Sequence, residues 1–306
     1  MVDGWIILDK PHGLGSTQAV AAVKRNLRQA GFGKCKVGHG GTLDPLATGV
    51  LPIAVGEATK LCGRMLDASK VYAFTTCYGI ETDTLDLEGK VVREVESLVG
   101  SLDDADVEDV LADFVGPIEQ TPPAYSAIKV DGKRAYDLAR AGEEVTLKSR
   151  QVTIHSLDYG GSWWNAGKLY ATLEAHVSKG TYIRSLARDI ARALGTVGHV
   201  TMLRRLKAGP FGIDQAISLD KLNDVGHGAA LEHILLPLQA GLVDIPALNL
   251  DPEQARAVRQ GRVLAGLPHD DGLYWAKAGQ VPLALVELSG GSLKVSRGFN
   301  ITDVAE

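Results

Sequence analysis

The spacing of apolar residues changes repeatedly along the chain, and the changes divide it into elements. Trp5-Ile6-Ile7-Leu8-Asp9 is a continuous apolar run stopped by Lys10-Pro11-His12-Gly13, which predicts a buried strand running into a turn. Behind it Val20, Val23, Leu27 and Ala30 recur at helical spacing as far as Gly31, with Ser16 or Thr17 as the cap and Lys24, Arg25 and Arg28 largely on the outer side. Residues 37–50 form a Gly/Thr/Pro-rich loop, 51–55 a strand, 58–66 a helix, and 71–78 a strand of β-branched and aromatic content. Residues 87–91 predict a hairpin turn and 103–114 an acidic amphipathic helix. Further on, 151–159 and 169–177 are strands, 181–194 a helix closed by Gly195, and 200–206 another strand.

Strands and helices mix without a regular βαβ cadence, which favours an α+β fold with a mixed or antiparallel sheet over a doubly wound parallel one. A helix at 252–260 and short strands around 273–277, 281–288 and 293–299 predict a small β-rich second domain, which a length of 306 residues accommodates. Hydrophobic residues at 45% and charged residues at 23% exclude a disordered, collagenous or heptad-repeat chain. Three cysteines, Cys35, Cys62 and Cys77, without a CxxC pair argue against a disulfide framework or a cysteine zinc site and for a reducing compartment. No run of ~18 apolar residues is present to span a bilayer, nor a basic-then-apolar leader, so a cytoplasmic location is expected.

The net charge of −5 disfavours a polyanionic partner until it is resolved along the chain. Residues 81–119 hold 13 acidic side chains against Lys90 and Arg93, a local charge of −11, which leaves +6 on the remainder. Basic residues gather at Lys24, Arg25, Arg28, Lys34 and Lys36, at Lys129, Lys133 and Arg134, and at Arg204, Arg205 and Lys207. This segregation permits a basic face opposite an acidic back, although each cluster alone is compatible with a solvated surface.

The segment Gly38-His39-Gly40-Gly41-Thr42-Leu43-Asp44-Pro45-Leu46-Ala47-Thr48-Gly49-Val50-Leu51 is the most unusual in the chain. Its glycines let the backbone approach a ligand or take positive φ, and Pro45 restricts Asp44 to an extended conformation. On physics alone, an ordinary Asp-Pro turn is the favoured explanation of Asp44, because aspartate is common in turns for local hydrogen-bonding reasons.

These residues resemble the TruB family of tRNA pseudouridine synthases, whose motifs recur in order over most of the chain. Asp9-Lys10-Pro11-His12-Gly13 is similar to the family's DKPxG turn, and residues 38–51 to its GHxGTLDPxATGVL loop. Lys70-Val71-Tyr72 with Gly79 and Thr82-Asp83-Thr84-Leu85-Asp86, then Pro122-Pro123-Ala124-Tyr125-Ser126-Ala127-Ile128-Lys129, follow. Gly180-Thr181-Tyr182-Ile183-Arg184 with Asp189, and Leu203-Arg204-Arg205 with Gly209-Pro210-Phe211, complete the set. Two features depart from it: Gly15-Ser16 stands where the family has Thr-Ser, and the acidic 81–119 stretch has no role in the motif set.

The resemblance implies isomerisation of uridine 55 (tRNA numbering) in the T-loop of tRNA, a reaction that needs no metal and no organic cofactor. Asp44 takes the place of the reacting carboxylate, attacking ribose C1′ or the base, or assisting proton removal next to C1′. Arg184 takes that of the cation which keeps a carboxylate charged in a water-poor pocket, with a fork geometry that lysine lacks. Tyr72 would stack on the target base and act as a general base on the sugar, and Leu203 would pack against the same base. His39 would fill the space left in the RNA by the extruded uridine. Tyr182 is a further substrate contact, and Lys10, Lys129, Arg204 and Arg205 are expected on phosphates.

The same resemblance divides the chain into a catalytic domain at 1–240, with a mobile thumb at about 125–150, and a PUA-like domain at 245–306 that touches the acceptor stem. It implies a monomer that binds tRNA without a membrane or an obligate protein partner. Three other readings stand beside it: a non-catalytic tRNA-binding or folding protein on the same scaffold, a guide-RNA-dependent synthase, and an acid hydrolase. The last lacks a second acid in an equally constrained loop.

Overall fold

The computed structural model describes residues 2–95, 102–126, 128–130, 132–143 and 147–301. A nine-stranded mixed sheet is built from β1 (Gly4–Lys10), β2 (Val37–His39), β3 (Thr48–Val55), β4 (Lys70–Tyr78), β5 (Gly116–Gln120), β6 (Arg150–Asn165), β7 (Lys168–Val177), β8 (Gly198–Ala208) and β9 (Phe211–Gly212). Its order is β1-β3-β8-β4-β7-β6-β5, with β2 on β3 and β9 on β8. Every pairing is antiparallel except β3 with β8, which run parallel at Thr48↔Arg204 and Gly49↔Arg205. This is the α+β architecture expected from the irregular element order.

Period-two alternation decides which side of each strand is covered. Ile6 and Leu8 of β1, with Leu51, Ile53 and Val55 of β3, bury against Ala19, Val23 and Leu27 of α1 (Ser16–Gln29). Trp5, Ile7, Val50 and Ala54 face the other way, onto Phe211, Leu238 and Leu242. Toward the opposite end, Phe74, Leu173 and Ala175 pack under Ile183, Leu186 and Ile190 of α3 (Ile183–Ala193) and beside α2 (Asp104–Leu111). Burying each such side chain contributes roughly 1.5–3 kcal/mol. Tyr72 and Leu203 touch both the α1 and the α3 cluster, so a cleft runs between the two helical groups.

A second, five-stranded sheet spans residues 247–298 and carries the helix Pro252–Arg259. Trp275, Leu285 and Phe299 pack into the cluster around Trp5 and Phe211, so the two sheets share a core. No helix among the described residues is long and apolar enough to cross a membrane.

Three elements differ from the sequence expectation for identifiable reasons. The strand expected to end at 159 continues to Asn165, because Gly160 and Gly161 do not stop it: Gly161 takes φ +111° in a bulge that shifts the register between Tyr159 and Ser162. The 58–66 helix divides into a 3₁₀ turn at Gly56–Leu61 and an α-turn at Cys62–Asp67, whose terminal carbonyls at Met65 and Leu66 accept from Lys70 Nζ. Neither Ser16 nor Thr17 caps α1; Gly15 occupies the cap, and the Ser16 hydroxyl serves the loop described next.

Candidate active site

Asp44 sits on the loop between β2 and β3, and both of its neighbours are tied down. Ser16 Oγ donates to the Leu43 carbonyl and accepts from the Leu43 N–H, both at 2.8 Å. The Pro45 carbonyl accepts from Gly13 N–H at 2.8 Å and from Lys10 Nζ at 3.2 Å. Arg205, 1% exposed, donates to the carbonyls of Val50 (2.7 Å), Thr42 (3.3 Å) and Gly41 (3.1 Å). Gly49, at φ +100°, closes the loop against β8; a Cβ there would lie 2.2 Å from the Arg205 carbonyl oxygen. The side chain of Asp44 therefore projects from a backbone held on either side.

Arg184 meets it from the first turn of α3. Its Nη2 lies 2.9 Å from Asp44 Oδ2 and donates to the Tyr125 carbonyl at 3.1 Å. Its Nη1 donates to the Thr84 carbonyl at 2.8 Å and lies 3.3 Å from Asp86 Oδ2. The buried guanidinium is thus shared by two carboxylates and two carbonyls, a use of the planar fork that an ammonium cannot reproduce. Leu85, between the two partners supplied by this turn, is held at φ +62° by hydrogen bonds from its N–H to Thr82 and to its carbonyl from Val200 N–H. Asp86 is itself completed by the Thr84 hydroxyl at 2.5 Å and the Glu88 N–H at 3.0 Å.

A cavity opens where these groups meet, in a gap in the sheet. On the edge of β8 facing β3, pairing covers Arg204 and Arg205, an isolated bridge joins Val200 to Asp86, and residues 201–203 have no strand partner among the described residues. Asp44, Leu46, Ala47, Asp86, Arg184, Val200, Thr201, Met202 and Leu203 line the space, about 20 Å³, room for one water molecule.

Asp44, Arg184 and Leu203 are brought together; Tyr72, on the neighbouring strand β4, packs against the same two clusters as Leu203 without lining the cavity itself. His39 lies half-buried at the end of β2, its Nδ1 accepting from the Gly41 N–H. Burial, with the Arg205 charge behind it, pulls the His39 imidazole below the usual histidine range, favouring the neutral ring. Tyr182 precedes α3 with the Arg150 guanidinium 5.0 Å over its ring.

Three of the expected phosphate contacts have other tasks. Lys10 is fully buried, and its ammonium is spent on the carbonyls of Pro11, Leu14 and Pro45. Arg205 lies under the loop, and Arg204 forms a two-point pair with Asp9 at 3.0 and 2.8 Å. Clustering along the sequence groups Arg204 and Arg205 with surface charge because nothing in spacing distinguishes a guanidinium aimed at carbonyls or a carboxylate from one aimed at solvent. The Lys129 side chain lies outside the described residues, as do thumb positions 127, 131 and 144–146. Asp86, Thr84 and Ser16 were missed as contributors; the Thr82–Asp86 motif was visible, but Asp86 was counted with its acidic neighbours.

Burial lowers the Lys10 ammonium to about 8, against the attraction of Asp44. The unfolded lysine binds its proton more tightly than the folded one, so stability rises with pH between about 8 and the ordinary lysine value of 10.5. Lys10→Met flattens that slope and takes the ammonium from the carbonyls of Pro11 and Leu14, while that of Pro45 keeps the Gly13 N–H, lowering stability by about 1–3 kcal/mol. Urea titrations of both proteins across this range check it, and parallel slopes would refute the assignment.

A family model described as TruB family pseudouridylate synthase (N terminal domain) matches residues 25–183, and one described as tRNA pseudouridylate synthase B C-terminal domain matches 184–243. The chain is 75% identical over 307 residues, the full length of both proteins, to tRNA pseudouridine synthase B of Novosphingobium aromaticivorans. It is 56% identical to tRNA pseudouridine synthase B of Zymomonas mobilis, covering 97% of this chain and 96% of that one. Among solved structures, an H/ACA RNP bound to a substrate RNA containing 2′-deoxyuridine superposes with a TM-score of 0.71 at 24% identity, covering 98% of this chain and 86% of that one, a likeness of fold.

Proposed function

The chain belongs to the TruB family of pseudouridylate synthases, and from that premise we propose that it converts uridine 55 (tRNA numbering) in the T-loop of tRNA to pseudouridine, with Asp44 as the reacting carboxylate. The observation that carries the assignment of Asp44 is its 2.9 Å contact with Arg184 at the mouth of a cavity in the cleft. The reaction breaks C1′–N1, forms C1′–C5 and transfers the C5 hydrogen to solvent as N1 gains one, so the product is an isomer. A carboxylate fixed on both sides supplies the nucleophile or base without having to be ordered by substrate. Arg184 offsets the charge that gathers there, Leu203 packs on the pyrimidine, and Tyr72, on the strand beside it and packed against the same two clusters, stacks on the base once it has entered.

His39, at the end of β2 where that loop begins, fills the RNA stack vacated by the extruded base, a role that suits a neutral ring. Tyr182 contacts the substrate, the thumb at about 125–150 closes over the T-arm, and residues 245–306 act as a PUA-like arm on the acceptor stem. The enzyme works in the cytoplasm as a monomer, without an obligate protein partner.

The test is tritium release from a T-arm hairpin labelled at uridine C5, with the purified chain and no added guide RNA. Release at one position supports the reading. Binding without release would favour a folding protein on this scaffold, and release only with a guide RNA would favour the guide-dependent branch.

A further inference from the structure

Arg184 stands in the first turn of α3, and that helix starts without a cap of its own. The residue at the N-cap, Tyr182, makes no capping hydrogen bond through its side chain. In a capping box the side chain three residues further on takes the N-cap N–H. Here that residue is Ser185, whose hydroxyl instead donates to the Thr121 carbonyl at 2.9 Å. The bond is supplied from another element, by Gln120, the last residue of β5 and fully buried. Its Oε1 accepts from the Tyr182 N–H at 2.8 Å, and its Nε2 donates to the Tyr182 carbonyl at 3.2 Å. The same carbonyl accepts the first bond of the helix, from Leu186 N–H at 3.0 Å.

A buried amide is costly unless both of its ends are met, and an apolar side chain would end β5 without that cost. Gln120 spends both ends on one residue, two positions before Arg184. The next residue extends the hold: the Thr121 carbonyl also accepts from Arg188 Nη2 at 3.0 Å. Pro122 and Pro123 stiffen the chain beyond it. The chain then returns to Arg184 at Tyr125, whose carbonyl accepts from Nη2, the nitrogen that lies 2.9 Å from Asp44. One segment, residues 120–125, thus fastens the backbone of the Arg184 turn at one end and the guanidinium at the other. The Tyr182 ring is held separately, beneath Arg150 of β6, which leaves the backbone to Gln120.

From this two-ended hold, and resting on Asp44 and Arg184 as the reacting pair, we infer that Gln120 is a positioning residue for pseudouridine formation. Fully buried and outside the lining of the cavity, it reaches the reaction only through the helix turn. By fixing the backbone of Tyr182 it fixes the start of α3, and so the place at which the Arg184 fork meets Asp44.

The experiment measures single-turnover tritium release from the T-arm hairpin by the full-length parent, Gln120→Met and Gln120→Glu, with rates referred to the folded fraction read by circular dichroism. Methionine keeps the length and removes both bonds. Glutamate keeps the acceptor and sets an oxygen against the Tyr182 carbonyl, and it carries the comparison should the methionine variant fail to fold. Each variant lowers the rate at saturating hairpin about tenfold, less than the ~10²-fold that a misplacement near 1 Å costs. The half-saturating hairpin concentration stays within about twofold of the parent's. A purely structural role would lower the folded fraction and leave the rate of the folded molecules unchanged. On an Arg184→Lys background, Gln120→Met costs less than about threefold, because the fork it positions is already gone. Parental rates from the folded variants, a loss confined to the half-saturating concentration, or an undiminished loss on the Arg184→Lys background would overturn the inference. A parent that releases no tritium would overturn the catalytic reading and this inference together, whereas an active parent with equally active Gln120 variants overturns the inference alone.

Discussion

Asp44→Asn releases no tritium from a C5-labelled T-arm hairpin, a loss of at least ~10⁴ in turnover, and still binds the RNA with a Kd within about twofold of the parent. Asparagine keeps the volume and leaves the loop in place, because the anchors of that loop are backbone groups: the carbonyl and N–H of Leu43 and the carbonyls of Thr42 and Pro45. What it removes is the anionic oxygen facing Arg184 Nη2. Asp44→Glu separates charge from position. It retains a carboxylate but advances it by one methylene into a space of about 20 Å³, where a misplacement near 1 Å costs about 10²-fold. Residual turnover therefore ranks aspartate, then glutamate, then asparagine. Turnover by Asp44→Asn comparable with the parent would remove the carboxylate from the chemistry altogether.

Local signals sufficed for much of the fold. Apolar runs located β1 and β4, helical spacing located α1, and the Gly/Pro-rich loop was recognised because glycine and proline restrict or free the backbone wherever they occur. Tertiary use of side chains was not legible. Ser16 read as a helix cap, since a hydroxyl at a helix start usually serves the helix; only the folded chain brings Leu43 within its reach. Arg205 reads as a surface cation because charge normally stays in water, and Lys10 as a phosphate contact by resemblance; the burial of both is offset by backbone carbonyls, those of Arg205 distant in sequence. Gly160-Gly161 read as the end of a strand because a bulge and a stop draw on the same residue type. Asp86 shows the limit most sharply. Its motif was seen, but its function depends on sharing one guanidinium with Asp44, a relation between residues 44, 86 and 184 that one-dimensional spacing does not encode.

That shared guanidinium makes Arg184 the position where catalysis and stability can be told apart. Arg184→Lys keeps one positive charge, but a single ammonium cannot span Asp44, Asp86 and the carbonyls of Thr84 and Tyr125, so kcat/KM falls by about 10²–10³-fold. Arg184→Met removes the charge from between two carboxylates, of which the Asp86 side chain is only 12% exposed. Breaking a buried pair by deleting one partner destabilises by about 3–5 kcal/mol, because the remaining charge stays out of water. Adding Asp86→Asn to Arg184→Met relieves the stranded charge, and most of that stability returns. Activity does not return, since Asp44 still lacks its partner. Urea unfolding and tritium release on the two single variants and the double variant complete the cycle. If the double variant regained both stability and turnover, Arg184 would be a structural neutraliser of Asp86, and the cation that serves Asp44 would have to be sought elsewhere. Lys10, whose charge already acts on Asp44, would be the first place to look.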